Sequence, residues 1–166
     1  ESRPANIEGK GAVSIRDLLR NALRMRPDRI IIGEVRGPET LDMLQAMNTG
    51  HDGSMTTAHA NSPQDLMSRL ETMVMMGSVD LPLIAIREQI AAALDIVVHQ
   101  ERFRDGTRKL TEVAWIEGLE DGKVKLVPLF EFQQVGIDAD GKIKGEFRGE
   151  DIPSRLDGRL REHGVH

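Results

Sequence analysis

Polar residues that could act on a phosphate follow two strand-like stretches of this sequence. Glu34 and Arg36 come directly after the β-branched run at residues 30–32, and His59 ends a second stretch, residues 54–59. In α/β proteins, ligands bind outside the carboxyl ends of the parallel strands. The sequence therefore predicts a phosphate-handling site at that edge of a sheet.

Glu34 has the best-defined candidate role. A carboxylate at the end of a central strand can orient or deprotonate a water that attacks a phosphate, or hold Mg²⁺ through water. Gly33 and Gly37 flank it and leave space for a ligand, which favours this role over that of an ordinary surface carboxylate. Arg36 lies on the same side as Glu34 if the chain is still extended there. It could stabilise phosphate charge, in its own or a neighbouring subunit, or form a salt bridge with a loop carboxylate.

The second stretch contributes histidines. Buried among the Ser and Thr residues of its strand, His59 could bind a terminal phosphate or the attacking water; the alternative is a core histidine bonded to a backbone carbonyl. His51 and Asn61 bracket the same stretch, which favours a functional role. The spacing of His51 and His59 is not the i, i+4 pair of a zincin, and the chain has no Cys, so no metal site is expected from these residues.

Composition narrows the class of protein. The chain has 166 residues, enough for one domain with an appendage, and a net charge of -5. This acidic balance argues against a nucleic-acid partner, which requires a basic surface. No apolar run approaches the roughly 18 residues that span a bilayer, and no signal peptide is visible, so we expect a soluble protein. The phosphate-binding loop G-x-x-x-x-G-K-[ST] does not occur in the sequence.

Helices and strands are predicted to alternate over the first 94 residues, as in α/β folds. Helices are expected after Ser14, Pro38, Ser62 and Pro82, each of which is a favourable residue at a helix start. Residues 30–32 read as a strand that is buried on both faces, because three β-branched residues follow one another. Most of the eight methionines fall at helical spacing and are expected in the core or between helices.

The pattern changes to antiparallel strands after residue 95. Short β-type runs at residues 95–102, 108–117, 123–132 and 142–147 are separated by Asp-Gly pairs, which are hairpin signals. We therefore expect a meander that continues or caps the parallel sheet. The resulting organisation is an α/β part at residues 1–102, the meander at 103–150 and an amphipathic tail at 151–166.

Taken together, the motifs resemble the secretion and pilus-assembly ATPases of type II and type IV machineries, closest to the Flp/tight-adherence branch (the CpaF/TadA type). The resemblance covers about the first hundred residues. It rests on residues 3–9 (RPANIEG), residues 23–29 (LRMRPDR) leading into residues 32–37 (IGEVRG), and residues 49–54 (TGHDGS) through 59–61 (HAN). Such a long ordered set of motifs is far more specific than any one of them.

The resemblance implies a role for each candidate residue. Residues 30–34 correspond to an atypical Walker B in which Glu34, after Gly33, is the catalytic carboxylate. His51 and His59 fall on the family's His box, which senses the terminal phosphate. Arg24 and Arg36 match basic positions that complete the site, one or both of them across a subunit boundary.

The resemblance also implies the wider setting. The fold is the C-terminal part of a RecA-like P-loop ATPase domain, with a mostly parallel sheet and antiparallel hairpins in the last third. ATP and Mg²⁺ are the implied ligands, and a homo-hexamer in the cytoplasm, acting on an inner-membrane platform protein, is the implied assembly. Walker A, the Asp box and the N-terminal domain would precede Glu1, so we expect this chain alone to be inactive. A non-catalytic assembly module and a DNA-translocating ATPase of the same fold are the alternatives.

Overall fold

Helices and strands alternate in the first part of the chain, and four strands follow one another in the second. The computed structural model describes residues 2–4, 7, 10–77 and 80–165, so residues 5, 6, 8 and 9 of the motif at 3–9, and residue 166 of the predicted tail, lie outside the described residues. The elements are α1 (Ile15–Arg24), β1 (Ile31–Ile32), α2 (Glu39–Met47), β2 (Met55–Thr56), α3 (Pro63–Met75), α4 (Leu83–Ala93), β3 (Ile96–Arg102), β4 (Arg108–Glu120), β5 (Lys123–Ile137), β6 (Ile143–Gly149) and α5 (Ser154–Glu162).

Side-chain caps form at the starts of α1 and α3, as predicted. Ser14 and Asp17 form a reciprocal capping box, in which the Ser14 hydroxyl accepts from the Asp17 N–H at 3.1 Å and the Asp17 carboxylate accepts from the Ser14 N–H. Ser62 caps α3 by accepting from the Asp65 N–H at 3.0 Å, with Pro63 at the first helical position. These caps depend on neighbours within three residues, which is why the sequence alone locates them.

The parallel strands are shorter than expected. β1 and β2 pair in parallel, with Ile31 opposite Met55, and only residues 55–56 of the stretch 54–59 are strand. Backbone hydrogen bonds extend the pairing beyond the strands, from the Met55 N–H to the Ile30 carbonyl and from the Val35 N–H to the Thr57 carbonyl. The two segments therefore stay side by side up to the residues that carry the candidate site.

The prediction that residues 30–32 are buried on both faces is wrong. Ile30 and Ile32 are 6% and 9% exposed, whereas Ile31 is 71% exposed. Successive side chains of a strand point to opposite faces, and only the face of Ile30 and Ile32 packs against the core. Three consecutive β-branched residues do not distinguish this arrangement from a fully buried strand.

The chain divides into two compact units. The first unit comprises the described residues up to Asp95 together with Glu117–Lys125, and the second comprises Ile96–Ile116 and the described residues from Leu126 onward. Most of the buried residues of the first unit lie on α2, α3 and α4. Four of the eight methionines are buried there and the other four are exposed: Met43, Met47, Met67 and Met73, against Met25, Met55, Met75 and Met76.

An antiparallel sheet of its own holds the last four strands, in the order β3-β4-β5-β6. β4 and β5 are joined by the two-residue turn Asp121-Gly122, where φ is +50° and +72°. Both residues adopt the left-handed conformation of a type I′ hairpin, the turn for which Asp-Gly is favoured. The predicted meander is confirmed, but it forms a sheet separate from β1 and β2.

The second unit has its own core. Trp115 of β4, Leu129 of β5 and Leu156 of α5 pack together, and Leu160 adds a second contact from the same helix. The helix predicted in the tail is thus α5, which covers one face of the sheet. No described helix is long and apolar enough to cross a membrane. The three-part division into 1–102, 103–150 and 151–166 stays a prediction.

Candidate functional site

The segment that follows β1 is held at several points before α2 begins. The buried Val35 donates its N–H to the Thr57 carbonyl at 3.0 Å, and the Thr57 hydroxyl donates to the Gly33 carbonyl. At the other end, Glu39 accepts from the backbone N–H groups of Arg36 and Gly37 at 2.9 and 3.1 Å. These bonds fix the backbone that carries Glu34 and Arg36.

Glu34, Arg36 and His59 come together around one carboxylate oxygen. Arg36 Nε donates to Glu34 Oε2 at 2.7 Å, and His59 Nε2 lies 3.5 Å from the same oxygen. The side chains are 37%, 68% and 79% exposed for Glu34, Arg36 and His59, respectively. The structure therefore assembles the three residues predicted as catalytic, on an open surface.

The electrostatics of this cluster keep Glu34 ionised. The hydrogen bond from Arg36 is the largest cause that lowers the pKa of the Glu34 carboxyl, and the charges of Arg36 and His59 lower it further, while desolvation opposes them. The same hydrogen bond and the charge of Glu34 raise the pKa of Arg36. An ionised carboxylate accepts hydrogen bonds only, so Glu34 can orient a water or hold a hydrated cation.

The backbone next to Glu34 is open. A Cβ atom added at Gly33 would meet no other atom within 4 Å. The expectation that His59 is buried is wrong, because its side chain is 79% exposed. β2 ends at Thr56, three residues before His59, so this histidine lies beyond the packed part of its strand. An exposed imidazole remains accessible to a bound anion.

Arg24 and His51 lie outside this cluster. Arg24 is the last residue of α1 and is exposed, with no contact to Glu34. His51 is half-buried, and its Nδ1 lies 2.9 Å from the Ala46 carbonyl oxygen. This backbone contact is what a structural histidine would make. The nucleotide-contacting roles expected of Arg24, His51 and Gly33 stay predictions.

Two supporting residues were missed by the sequence reasoning. Thr57 fixes Gly33 through its hydroxyl, and Glu39 binds the N–H groups of the Arg36-Gly37 turn. A Glu placed directly after Gly-Pro at a helix start was the available signal for the second contact. The first contact had no local signal, because Gly33 and Thr57 are 24 residues apart and meet only when β1 and β2 pair.

The chemistry open to the cluster is limited and specific. One carboxylate, one guanidinium and one imidazole can align a water and stabilise charge on a phosphoryl group. Mg²⁺ often keeps several waters and takes only one or two protein carboxylates together with substrate phosphates, so Glu34 fits such an ion. Among the described residues, no group of three or more His, Asp or Glu side chains is arranged to hold a metal by itself.

Comparison with known proteins gives consistent matches. The family model described as "Type II/IV secretion system protein" matches residues 2–139. A putative conjugal transfer protein of Mycobacterium tuberculosis is 46% identical over 129 residues, covering 78% of this chain and 36% of that protein. The type IV secretion system protein VirB11 of Brucella abortus is 36% identical over 116 residues, covering 68% of this chain and 32% of that protein.

A solved structure also matches. The VirB11 ATPase from the Brucella suis type IV secretion system, in complex with sulphate, aligns with a TM-score of 0.58 and 39% identity over 62% of this chain and 32% of that chain. The likeness supports the α/β fold. The chain spans about a third of the length of these relatives. Because the family model covers most of the sequence, the chain belongs to the type II/IV secretion system protein family.

Proposed function

We propose that this chain is the carboxylate-bearing part of an ATP-hydrolysing motor that powers pilus assembly or protein secretion across the inner membrane. The observation that supports this most directly is the single oxygen of Glu34 approached by both Arg36 and His59 at an open strand end. Phosphoryl transfer requires positioning and charge stabilisation rather than covalent chemistry, and this cluster provides both.

Each residue has a distinct part in the proposed reaction. Glu34 accepts a hydrogen bond from the attacking water and aligns it with the terminal phosphate. Arg36 balances the charge of Glu34 in the resting site, and its remaining N–H donors face negative charge that develops in the transition state. His59 donates to a phosphate oxygen. The open space at Gly33 admits the reacting group.

The β- and γ-phosphates need a further element. The loop G-x-x-x-x-G-K-[ST], whose backbone amides and Lys hold them, is not in this sequence. We propose that this chain is part of a longer protein, comparable in length to its relatives, and that the loop lies elsewhere in that protein. The bare chain should then bind ATP weakly and hydrolyse it negligibly, and an ordinary micromolar affinity for ATP, measured by calorimetry on the bare chain, would contradict this.

The wider assembly is part of the same proposal. The motor is a homo-hexamer that uses Mg²⁺ and ATP, lies in the cytoplasm at the inner-membrane face and acts on a platform protein of a Flp-type system. The names of the relatives, conjugal transfer and type IV secretion proteins, support a transport machine. An arginine of one subunit that completes the active site of the neighbouring subunit would couple hydrolysis to subunit motion.

Steady-state ATP hydrolysis by the longer protein separates this proposal from a non-catalytic assembly module. Glu34→Gln should abolish turnover and retain ATP binding, whereas Glu88→Gln, an exposed glutamate of α4, should behave as wild type. Absence of turnover in the wild-type longer protein would support the assembly module, and unchanged turnover in Glu34→Gln would show that Glu34 is not the catalytic carboxylate.

A DNA-translocating ATPase is the second alternative, because some relatives are named conjugal transfer proteins. Single- and double-stranded DNA should neither stimulate turnover nor compete for the protein if the secretion motor is correct. Salt-dependent stimulation by DNA would favour the translocase.

A further inference from the structure

A groove on the first unit lies beside the Glu34 cluster and shares Arg36 with it. Its volume is about 340 Å³, and all of its other lining residues come from α3 and its C-cap: Asp65, Ser68, Arg69, Thr72, Met73 and Met76. Most of these positions follow one another at spacings of three or four residues, so they form one face of the helix. The groove is thus a helix face closed on one side by Arg36.

The charged side chains of the groove differ in whether they already have a hydrogen-bond or ion-pair partner. The carboxylate of Asp65 accepts from both the backbone N–H and the side-chain amide of Asn61, each at 3.0 Å. Arg69 is exposed, and among the described residues no carboxylate lies within ion-pair distance of it. Arg36 uses its Nε for Glu34, and a guanidinium carries four further N–H donors. Two guanidinium groups therefore face a groove whose one acid is already hydrogen-bonded.

The floor of the groove is apolar. Met73 is 2% exposed and Met76 contributes an apolar wall. Ser68 and Thr72 add hydroxyl groups that can complete the hydrogen bonds of a bound anion.

We propose that this groove binds an oxyanion, a phosphate or a carboxylate, between Arg36 and Arg69. The planar fork of an arginine matches both kinds of oxyanion and bonds them through paired N–H groups. Arg69 is the residue that defines the site, since Arg36 also serves Glu34. An anion held here would use the N–H donors of Arg36 that the contact with Glu34 leaves available.

The test is an anion titration of the 166-residue chain, followed by NMR of the arginine Nε–Hε groups at constant ionic strength. Inorganic pyrophosphate and glutarate are the probes. We expect a saturable shift of the Arg69 signal with at least one probe, and roughly tenfold or greater weakening in Arg69→Gln, because a charged hydrogen-bond donor is lost. Arg69→Lys should weaken binding less, and Arg148→Gln, an exposed arginine of β6, should change affinity by less than about twofold.

The probes distinguish the source of the anion. Saturation by pyrophosphate alone identifies a phosphate ligand, saturation by glutarate alone identifies a carboxylate, and saturation by both supports a general oxyanion site. Absence of a saturable shift with either probe, or equal weakening in Arg69→Gln and Arg148→Gln, would overturn the proposal. The experiment involves no ATP turnover, so its failure leaves the role proposed for Glu34 unaffected.

Discussion

The two units use β-structure in opposite ways. In the first unit, β1 and β2 contain two residues each and stop where the polar residues of the candidate site begin. Most of β4 and β5 lies in the second unit, and these strands reach 13 and 15 residues although each ladder contains a register shift. Long strands commit their backbone groups to the ladder, whereas residues 33–37 are held by separate hydrogen bonds and expose the side chain of Arg36 beside Glu34. The candidate site therefore lies in an irregular segment of the first unit, whereas long strands make up much of the second.

Removal of the central side chain of the second unit should produce the largest loss of stability. Trp115 is 1% exposed and packs against Leu129 and Leu156. Trp115→Ala should reduce the free energy of unfolding by about 3–5 kcal/mol, because it leaves a cavity. Urea unfolding followed by circular dichroism measures this. Val98→Ala, at a side chain 59% exposed, should cost less than about 1 kcal/mol, and equal losses would contradict the proposed core.

Alanine substitutions at two glycines test the contrast between the packed second unit and the open candidate site. A Cβ at Gly145 would collide with the Phe132 ring and lie 2.6 Å from the Gln133 carbonyl oxygen, whereas a Cβ at Gly33 would touch nothing. Gly145→Ala should destabilise the protein by about 1–3 kcal/mol. Gly33→Ala should change the free energy of unfolding by no more than about 0.5 kcal/mol, as expected of a surface substitution. Similar losses for the two variants would refute the comparison.

Acid unfolding should reveal how much Asp105, a carboxylate with a structural role, stabilises the protein. Hydrogen bonds from the Ile143 N–H and from Thr107 lower the pKa of Asp105 from its ordinary value of 3.8 to about 2. Since the pKa is lower in the folded state, Asp105 stabilises the protein above about pH 4, and this contribution disappears as the pH falls towards 2. Asp105→Asn should therefore flatten the melting temperature between pH 4 and 2. An unchanged slope would contradict the assigned contacts.

The smallest effect of these four is expected for Arg36, whose substitution should change only the pKa of its partner. Arg36→Gln should raise the pKa of the Glu34 carboxyl, because it removes the hydrogen bond and the charge that lower it. Arg24→Gln should leave that pKa unchanged, since Arg24 makes no contact with Glu34. Carbon-detected NMR titration of the glutamate carboxyls measures both. A shift of the same size in the two variants would mean that overall charge, and not the contact, sets the pKa.

Signals that act over a few residues made much of the fold predictable. The caps at Ser14 and Ser62 and the turn at Asp121-Gly122 depend only on their neighbours, and each was located correctly. The burial of residues 30–32 was predicted wrongly, because the exposure of Ile31 depends on which elements cover the strand. Sequence pattern gives the strand, and tertiary packing determines its faces.

The candidate site was predictable in its residues and not in its arrangement. Polar residues after two strands predicted a site at one sheet edge, and the structure brings Glu34, Arg36 and His59 together there, while their catalytic roles stay a prediction. The exposure of His59 and the separate position of His51 depend on where β2 ends and on the Ala46 carbonyl. The contact of Thr57 with Gly33 arises from strand pairing and has no local signal.

The most direct test of the central claim is the fate of ATP in a single turnover by the longer protein. We expect the wild type and Glu88→Gln to convert bound ATP to ADP at the same rate. Glu34→Gln should bind ATP with similar affinity and hydrolyse it at least about 100-fold more slowly, the effect of removing a general base or its positioned water. Hydrolysis by Glu34→Gln at the wild-type rate would show that this carboxylate is a surface ion-pair partner and not the centre of the reaction.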